Sequence, residues 1–241
     1  ARLKAETKKF QKILPQAIDR DVNESDTVAI ISDMFADIFG YDKYTDLTSE
    51  FAIKSTYCDL AIQVDGSVQF LVEAKAIGLD LKENHINQAI GYGAQHGIQW
   101  VVLTNGKTWE IYRINFGQPI TTELLTSYNF LEINTRKTAD LETLFLLCKE
   151  GLSKDAIEGY YDHVQGVNKH VIGALMLSEA GIKFLARELK RTTPGLQVQD
   201  DEVETILRGE VLKRDLLDGI GFDEAIKRVK KAASRKMVKR V

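Results

Sequence analysis

The chain has 241 residues, 44% apolar and 28% charged, with a formal net charge of −3. That profile is ordinary for a globular protein, and the length suffices to bury a core without staples. Two cysteines, Cys58 and Cys148, exclude a disulfide framework and a Cys-x-x-Cys zinc knuckle, and they predict a reducing, cytoplasmic setting. No apolar run reaches the roughly 18 residues of a membrane span, and the basic first segment lacks the apolar stretch of a signal peptide. Overall acidity argues against a nucleic-acid partner, but the charge is uneven. Residues 1–136 are net −5 and residues 137–220 net −4, whereas residues 221–241 carry 8 basic and 2 acidic side chains, net +6.

Leu3 to Ile18 reads as helix, with Pro15 predicting a break near Leu14. Val28, Ile31, Met34, Phe35 and Ile38 recur at helical spacing, so a helix is expected from Glu24 to Phe39, with Asn23 as N-cap and Gly40 beyond its end. Phe51 and Ile53 alternate with polar residues. Cys58, Leu60, Ile62 and Val64, then Val68, Phe70, Val72 and Ala74, form two period-2 runs around Asp65-Gly66, a hairpin pattern. Ile86, Ala89, Ile90, Gly93 and Ala94 predict a helix within 82–96. Trp100 to Leu103, the turn signal Asn105-Gly106 and Lys107 to Ile114 predict a second hairpin, and a further strand falls within 125–132. From Ala139 the period is helical: a helix from Leu141, then Ala156 to Tyr161, Val171 to Ala186, Val203 to Leu212 and Phe222 to Ala233. This order predicts an α/β sheet domain over 1–136 and a helical region over 137–241.

Asp59, Glu73 and Lys75 are charges within apolar strands, where an unpaired charge is costly. Alternation selects the register of the first hairpin. A three-residue loop, Asp65-Gly66-Ser67, pairs Val64 with Val68, Ile62 with Phe70, Leu60 with Val72 and Cys58 with Ala74, all on one face. Tyr57, Asp59, Ala61 and Gln63 then oppose Gln69, Leu71, Glu73 and Lys75 on the other. Asp59 lies opposite Glu73, and two carboxylates that close repel unless a cation lies between them. Lys75 supplies one positive charge and a divalent ion would supply two, so the pattern is half of a hard-metal site.

Asp59, thirteen residues, then Glu73-Ala74-Lys75 resembles the Asp…(Asp/Glu)-x-Lys motif of the PD-(D/E)XK nuclease superfamily. Glu24 matches that fold's first acid. Gln88 and Tyr92 match the Gln-x-x-x-Tyr helix of several branches. The runs YCDLAIQVDGSVQFLVEAKAIGLDL and LTNGKTWEIY are similar to the N-terminal nuclease domain of type I restriction enzyme R subunits. The resemblance covers roughly residues 20–135. It implies a restriction-endonuclease-like mixed β-sheet flanked by helices, an all-helical C-terminal region after it, and Mg²⁺- or Mn²⁺-dependent hydrolysis of DNA phosphodiesters. Asp59, Glu73 and the Ala74 carbonyl would hold the metal. Lys75 would position water and stabilise phosphate charge, with general base as the alternative. Gln88 and Tyr92 would orient Lys75 or touch the phosphate backbone. The chain departs from the R subunit in having no G-x-x-x-x-G-K-[ST] motif, so no ATP site is expected.

Each candidate also has a plainer reading. Glu24 in a first helical turn complements the helix dipole. Gln88 and Tyr92, spaced i,i+4 and read as facing away from Ile86, Ala89, Ile90 and Gly93, could be a solvated stripe, with His85 beside them. Glu50 reads as surface, and Cys58, Trp100 and Trp109 as core. Asn105-Gly106 reads as a tight turn, and the four histidines have no metal spacing. The basic pairs from Lys227-Arg228 to Lys239-Arg240 read as a solvated helix end or as a salt-sensitive contact to DNA. Two classes of function result: a metal-dependent endonuclease acting on double-stranded DNA, for which a double-strand cut would favour a homodimer, or a catalytically silent nuclease-fold domain that binds DNA or a partner protein.

Overall fold

Arg2–Asp19 forms one uninterrupted helix, α1, through Pro15. The break expected near Leu14 is absent because Phe10, Leu14 and Ala17 form a buried stripe. Burying Phe10 and Leu14 contributes about 1.5–3 kcal/mol each, enough to offset the roughly 3 kcal/mol of an interior proline. Helix α2, Glu24–Asp37, is N-capped as expected, the Asn23 side chain accepting from the Asp26 N–H at 2.9 Å, but it ends two residues before the expected Phe39, with Ile38 rather than Gly40 as its C-cap. The computed structural model describes residues 1–53 and 56–238, with the side chains of 50–57, 83 and 235–238 outside that description. The roles expected of the Glu50 side chain and of Arg235, Lys236, Lys239 and Arg240 therefore fall outside the described residues.

Six strands follow in a mixed sheet whose spatial order is their chain order: β1 Leu47–Ile53, β2 Thr56–Val64, β3 Ser67–Ala74, β4 Trp100–Thr104, β5 Thr108–Asn115 and β6 Thr121–Asn129. All neighbours are antiparallel except β3 and β4, which are parallel. A parallel pair needs a crossover. Helix α3, Asn87–His96, lies in that crossover, ended by Gly97 in the left-handed conformation.

The β2–β3 register departs from expectation at the turn and agrees in the core. Val64 pairs with Ser67 across a two-residue loop, and Gln63 with Val68. Asp65 and Gly66 both have positive φ, at 51° and 76°, as a type I′ turn requires. A bulge between Ile62 and Gln63 then shifts the ladder by one residue and restores Ile62 to Phe70 and Leu60 to Val72.

Both sheet faces are covered. Phe35 of α2 and Phe39 just beyond its end pack on Trp109, and Phe35 on Phe70 at 5.8 Å between ring centroids. Ile86, just before α3, and Ala89 and Tyr92 of α3 pack with Ala61, Leu71, Val101 and Leu103 of the opposite face. Cys58 is buried, but in this second cluster rather than beside Phe70.

After a 3₁₀ turn over Phe130–Glu132 come α4 Thr138–Phe145, α5 Lys149–Leu152, α6 Ala156–Gly166, α7 Lys169–Met176, α8 Glu179–Thr192, α9 Asp200–Ile206, α10 Arg214–Leu217 and α11 Ile220–Val238. The single helix expected over Val171 to Ala186 is two. Ser178 caps the start of α8 by accepting from the Gly181 N–H at 3.1 Å. The chain divides into two compact units, Ala1–Gly159 and Tyr160–Val241. In the second, Ile182, Ala186, Val198, Val203 and Leu207 make one apolar cluster, and Ala174, Leu216, Phe222 and Ala225 another.

Candidate metal centre

The parallel strands β3 and β4 end at Ala74 and Thr104. Crevices beyond the carboxyl ends of parallel strands are where open α/β sheets hold ligands. Here Lys75 leaves the sheet, its N–H donating to Thr104 O at 2.9 Å. The ladder pairs Leu60 with Val72, and Asp59 and Glu73 are the next residues outward on the two strands. Asp59 Oδ2 accepts from the Ala74 N–H at 2.7 Å. Lys75 Nζ donates to Glu73 Oε1 at 2.7 Å and to Ala74 O at 2.8 Å. Glu24, first residue of α2, brings Oε1 to 3.5 Å from the same Nζ.

Glu24, Glu73 and the Ala74 carbonyl thus meet around the Lys75 ammonium, with Asp59 joined to the Ala74 N–H beside them. Gln88 is exposed on α3, while Tyr92 is buried among Ile86, Ala89 and Cys58, with its ring stacked on His96 at 4.3 Å. The expectation that both residues face away from the apolar side is therefore corrected for Tyr92. Positions four apart differ by about 40° around a helix. That offset turns Tyr92 toward the side of Ala89 and Gly93, both buried.

Burial sets the electrostatics. Glu73 is only 7% exposed. Burial lifts its carboxyl to about 7, helped by the charges of Asp59 and Glu24 and opposed by Lys75. Burial also raises Asp59 above the usual aspartate value, against the Ala74 N–H and Lys75. For Lys75, burial acts to lower the ammonium, but Glu73, Glu24 and Asp59 together leave it above the ordinary lysine value. The carboxyls resist ionising and the lysine resists neutralising, the expected behaviour of a buried acidic site with a single internal cation.

The donor set fits a hard divalent ion. Two carboxylates and a carbonyl are oxygen ligands, and Mg²⁺ is commonly held by one or two carboxylates with water and substrate phosphate. Glu73 Oε1 and Ala74 O already share one cation, the Lys75 ammonium. Among the described residues no group of three His, Cys, Asp or Glu side chains is arranged to hold a metal, so water and substrate would have to complete the coordination.

Three residues that sequence reasoning passed over shape this strand end. Thr27 Oγ1 accepts from the Ile77 N–H at 3.1 Å. Asn105, read only as a turn residue, accepts from the Lys107 and Thr108 N–H groups and donates from Nδ2 to Leu79 O at 2.8 Å. Thr104 supplies the carbonyl that ends the Lys75 ladder. The sequence signal for Thr27 was its place four residues before Ile31 and eight before Phe35, on the buried stripe of α2.

No helix among the described residues is long and apolar enough to cross a membrane. No curated protein and no solved structure matches the chain. Residues 34–126 do match a family model, the N terminus of the type I restriction enzyme R protein. That span runs from α2 into β6 and holds Asp59, Glu73, Ala74, Lys75, Gln88 and Tyr92, with Glu24 outside it.

Proposed function

We propose that the chain is a metal-dependent endodeoxyribonuclease of the PD-(D/E)XK type that hydrolyses phosphodiester bonds of double-stranded DNA with Mg²⁺ or Mn²⁺. The observation that carries this is the convergence of Asp59, Glu73, Ala74 O and Lys75 at one strand end, inside the span similar to a restriction-enzyme domain. Asp59, Glu73 and the Ala74 carbonyl would hold the ion. When bound, Mg²⁺ supplies charge neutralisation at the scissile phosphate and acidifies its water. Lys75, kept protonated by three carboxylates, carries a cation to the phosphate oxygens, where charge develops in the transition state. Glu24 holds Lys75 from the α2 side.

Cleavage of supercoiled plasmid with Mg²⁺ tests this reading. Removal of one charge-stabilising donor in a preorganised site costs about 10²–10³ in rate. Lys75→Ala is expected to lose at least that, and Asp59→Ala to lose detectable cleavage, with the far-ultraviolet circular dichroism of both unchanged. Wild-type rates in either variant would overturn the assignment. The silent-domain reading rests on the finding that, among the described residues, no three His, Cys, Asp or Glu side chains are arranged to hold a metal. Metal-dependent cutting by the wild-type chain would dismiss it, and DNA binding without cutting would favour it.

A further inference from the structure

The chain that leaves Lys75 is tied down more closely than a surface crossover requires. Ile77 is fully buried, so its N–H needs a partner inside the protein. That partner is the Thr27 hydroxyl, itself fully buried, which accepts from Ile77 N at 3.1 Å and donates to Asn23 O at 2.8 Å. At the next residue, a Cβ on Gly78 would stand 2.6 Å from Asp21 Oδ1, so the segment between α1 and α2 lies directly against the strand exit. One residue further, Leu79 O accepts from Asn105 Nδ2 at 2.8 Å. Ile77 and Leu79 are therefore held by hydrogen bonds, and Gly78 between them lies close against Asp21.

Thr27 differs from the other two contacts. It lies in the first turn of α2, three residues after Glu24, and Asn23, the residue to which its hydroxyl donates, caps that helix. One side chain thus links the cap of the helix that carries Glu24 to the backbone two residues beyond Lys75. Glu24 Oε1 and Lys75 Nζ meet at 3.5 Å across that link.

We infer that Thr27 is a positioning residue of this site: its hydroxyl fixes the first turn of α2, and with it Glu24, against the strand end that presents Ala74 O and Lys75. The inference rests on the nuclease reading for what is being positioned. Small displacements of a reacting constellation can cost on the order of a hundredfold in rate.

The test uses the full chain with Thr27→Val, which keeps the shape and removes the hydroxyl, and Thr27→Ser, which restores it. Thr27→Ala serves as a second hydroxyl-free variant should the valine fail to fold. Three readouts are taken below the melting transition of every variant: hydrogen exchange of the Ile77 amide, Mn²⁺ affinity by calorimetry, and single-turnover cleavage of plasmid with Mg²⁺. Expected for Thr27→Val are an exchange-labile Ile77 amide, Mn²⁺ affinity weakened several-fold, and single-turnover cleavage slowed at least tenfold at saturating enzyme with DNA affinity unchanged, all restored by Thr27→Ser. Wild-type Mn²⁺ affinity and cleavage in a hydroxyl-free variant with a labile Ile77 amide would overturn the inference and leave the nuclease reading intact. No cleavage by the wild type would overturn the nuclease reading; the positioning claim is then decided by Mn²⁺ affinity, upheld by the loss and serine rescue and overturned by equal affinities.

Discussion

At the scale of single residues, Glu73 ties the candidate site to a cost in stability. A carboxyl raised by burial to about 7 keeps its proton in the folded state over a range where the unfolded chain has already released it. The folded state then binds more protons than the unfolded one, so stability falls as pH rises between about 4.5 and 7. The shift from an ordinary glutamate value to about 7 is equivalent to about 3 kcal/mol. Asp59, raised by burial as well, acts with the same sign. Denaturant unfolding of the metal-free protein should therefore show stability decreasing across that window. Glu73→Gln, which keeps the shape without the ionisation, should flatten most of the slope and exceed wild type in stability above pH 7. An unchanged slope in the glutamine variant would assign the pH dependence elsewhere. Below pH 7, metal that binds through Glu73 must displace a proton, so Mn²⁺ affinity should rise with pH up to about 7.

At the scale of elements, the hairpin and α1 show why some of the fold was legible and some was not. The alternation in β2 and β3 identified the pairs Leu60 to Val72 and Ile62 to Phe70, because a one-residue slip would reverse every buried side chain. It gave no access to the turn, since a two-residue loop with a bulge delivers the same core register as a three-residue loop without one. The pair Leu60 to Val72, next to Asp59 and Glu73, depends on the core register and survived that difference. What the strand pattern could not show is the surroundings of the site: the helix on each face, the inward turn of Tyr92, and the link from Thr27 to Ile77. Those depend on residues distant in sequence. In α1 the local proline signal lost to tertiary packing of Phe10, Leu14 and Ala17. Pro15 is exposed, so its ring contributes little to the core while its missing N–H weakens the helix. Pro15→Ala should stabilise the protein by about 2 kcal/mol, the roughly 3 kcal/mol helix penalty less the up to about 1 kcal/mol of entropy proline removes from the unfolded chain. A denaturant midpoint below that of wild type would show that Pro15 makes packing contributions its exposure does not suggest.

At the scale of the whole molecule, the charge is divided by position. Acidic groups meet at the strand end of the first unit, while the basic excess of residues 221–241 falls on α11 of the second unit and beyond. That helix is more than a carrier of charge. Phe222 and Ala225 are buried with Ala174 and Leu216, and Arg228 donates to Gln165 O at 2.8 Å. Deleting residues 221–241 would remove part of this apolar cluster, so a loss of DNA binding after deletion would not separate contact from unfolding. Lys227, Lys230 and Lys231 are exposed, and their i, i+3 and i+4 spacing puts them on one face of the helix. Each phosphate neutralised adds about −0.9 to the slope of log affinity against log salt. If these lysines contact DNA, changing all three to Gln should reduce the magnitude of that slope by about 2–3 for duplex DNA in the absence of divalent metal, with the thermal midpoint unchanged. A slope equal to wild type would leave the tail as a solvated helix end.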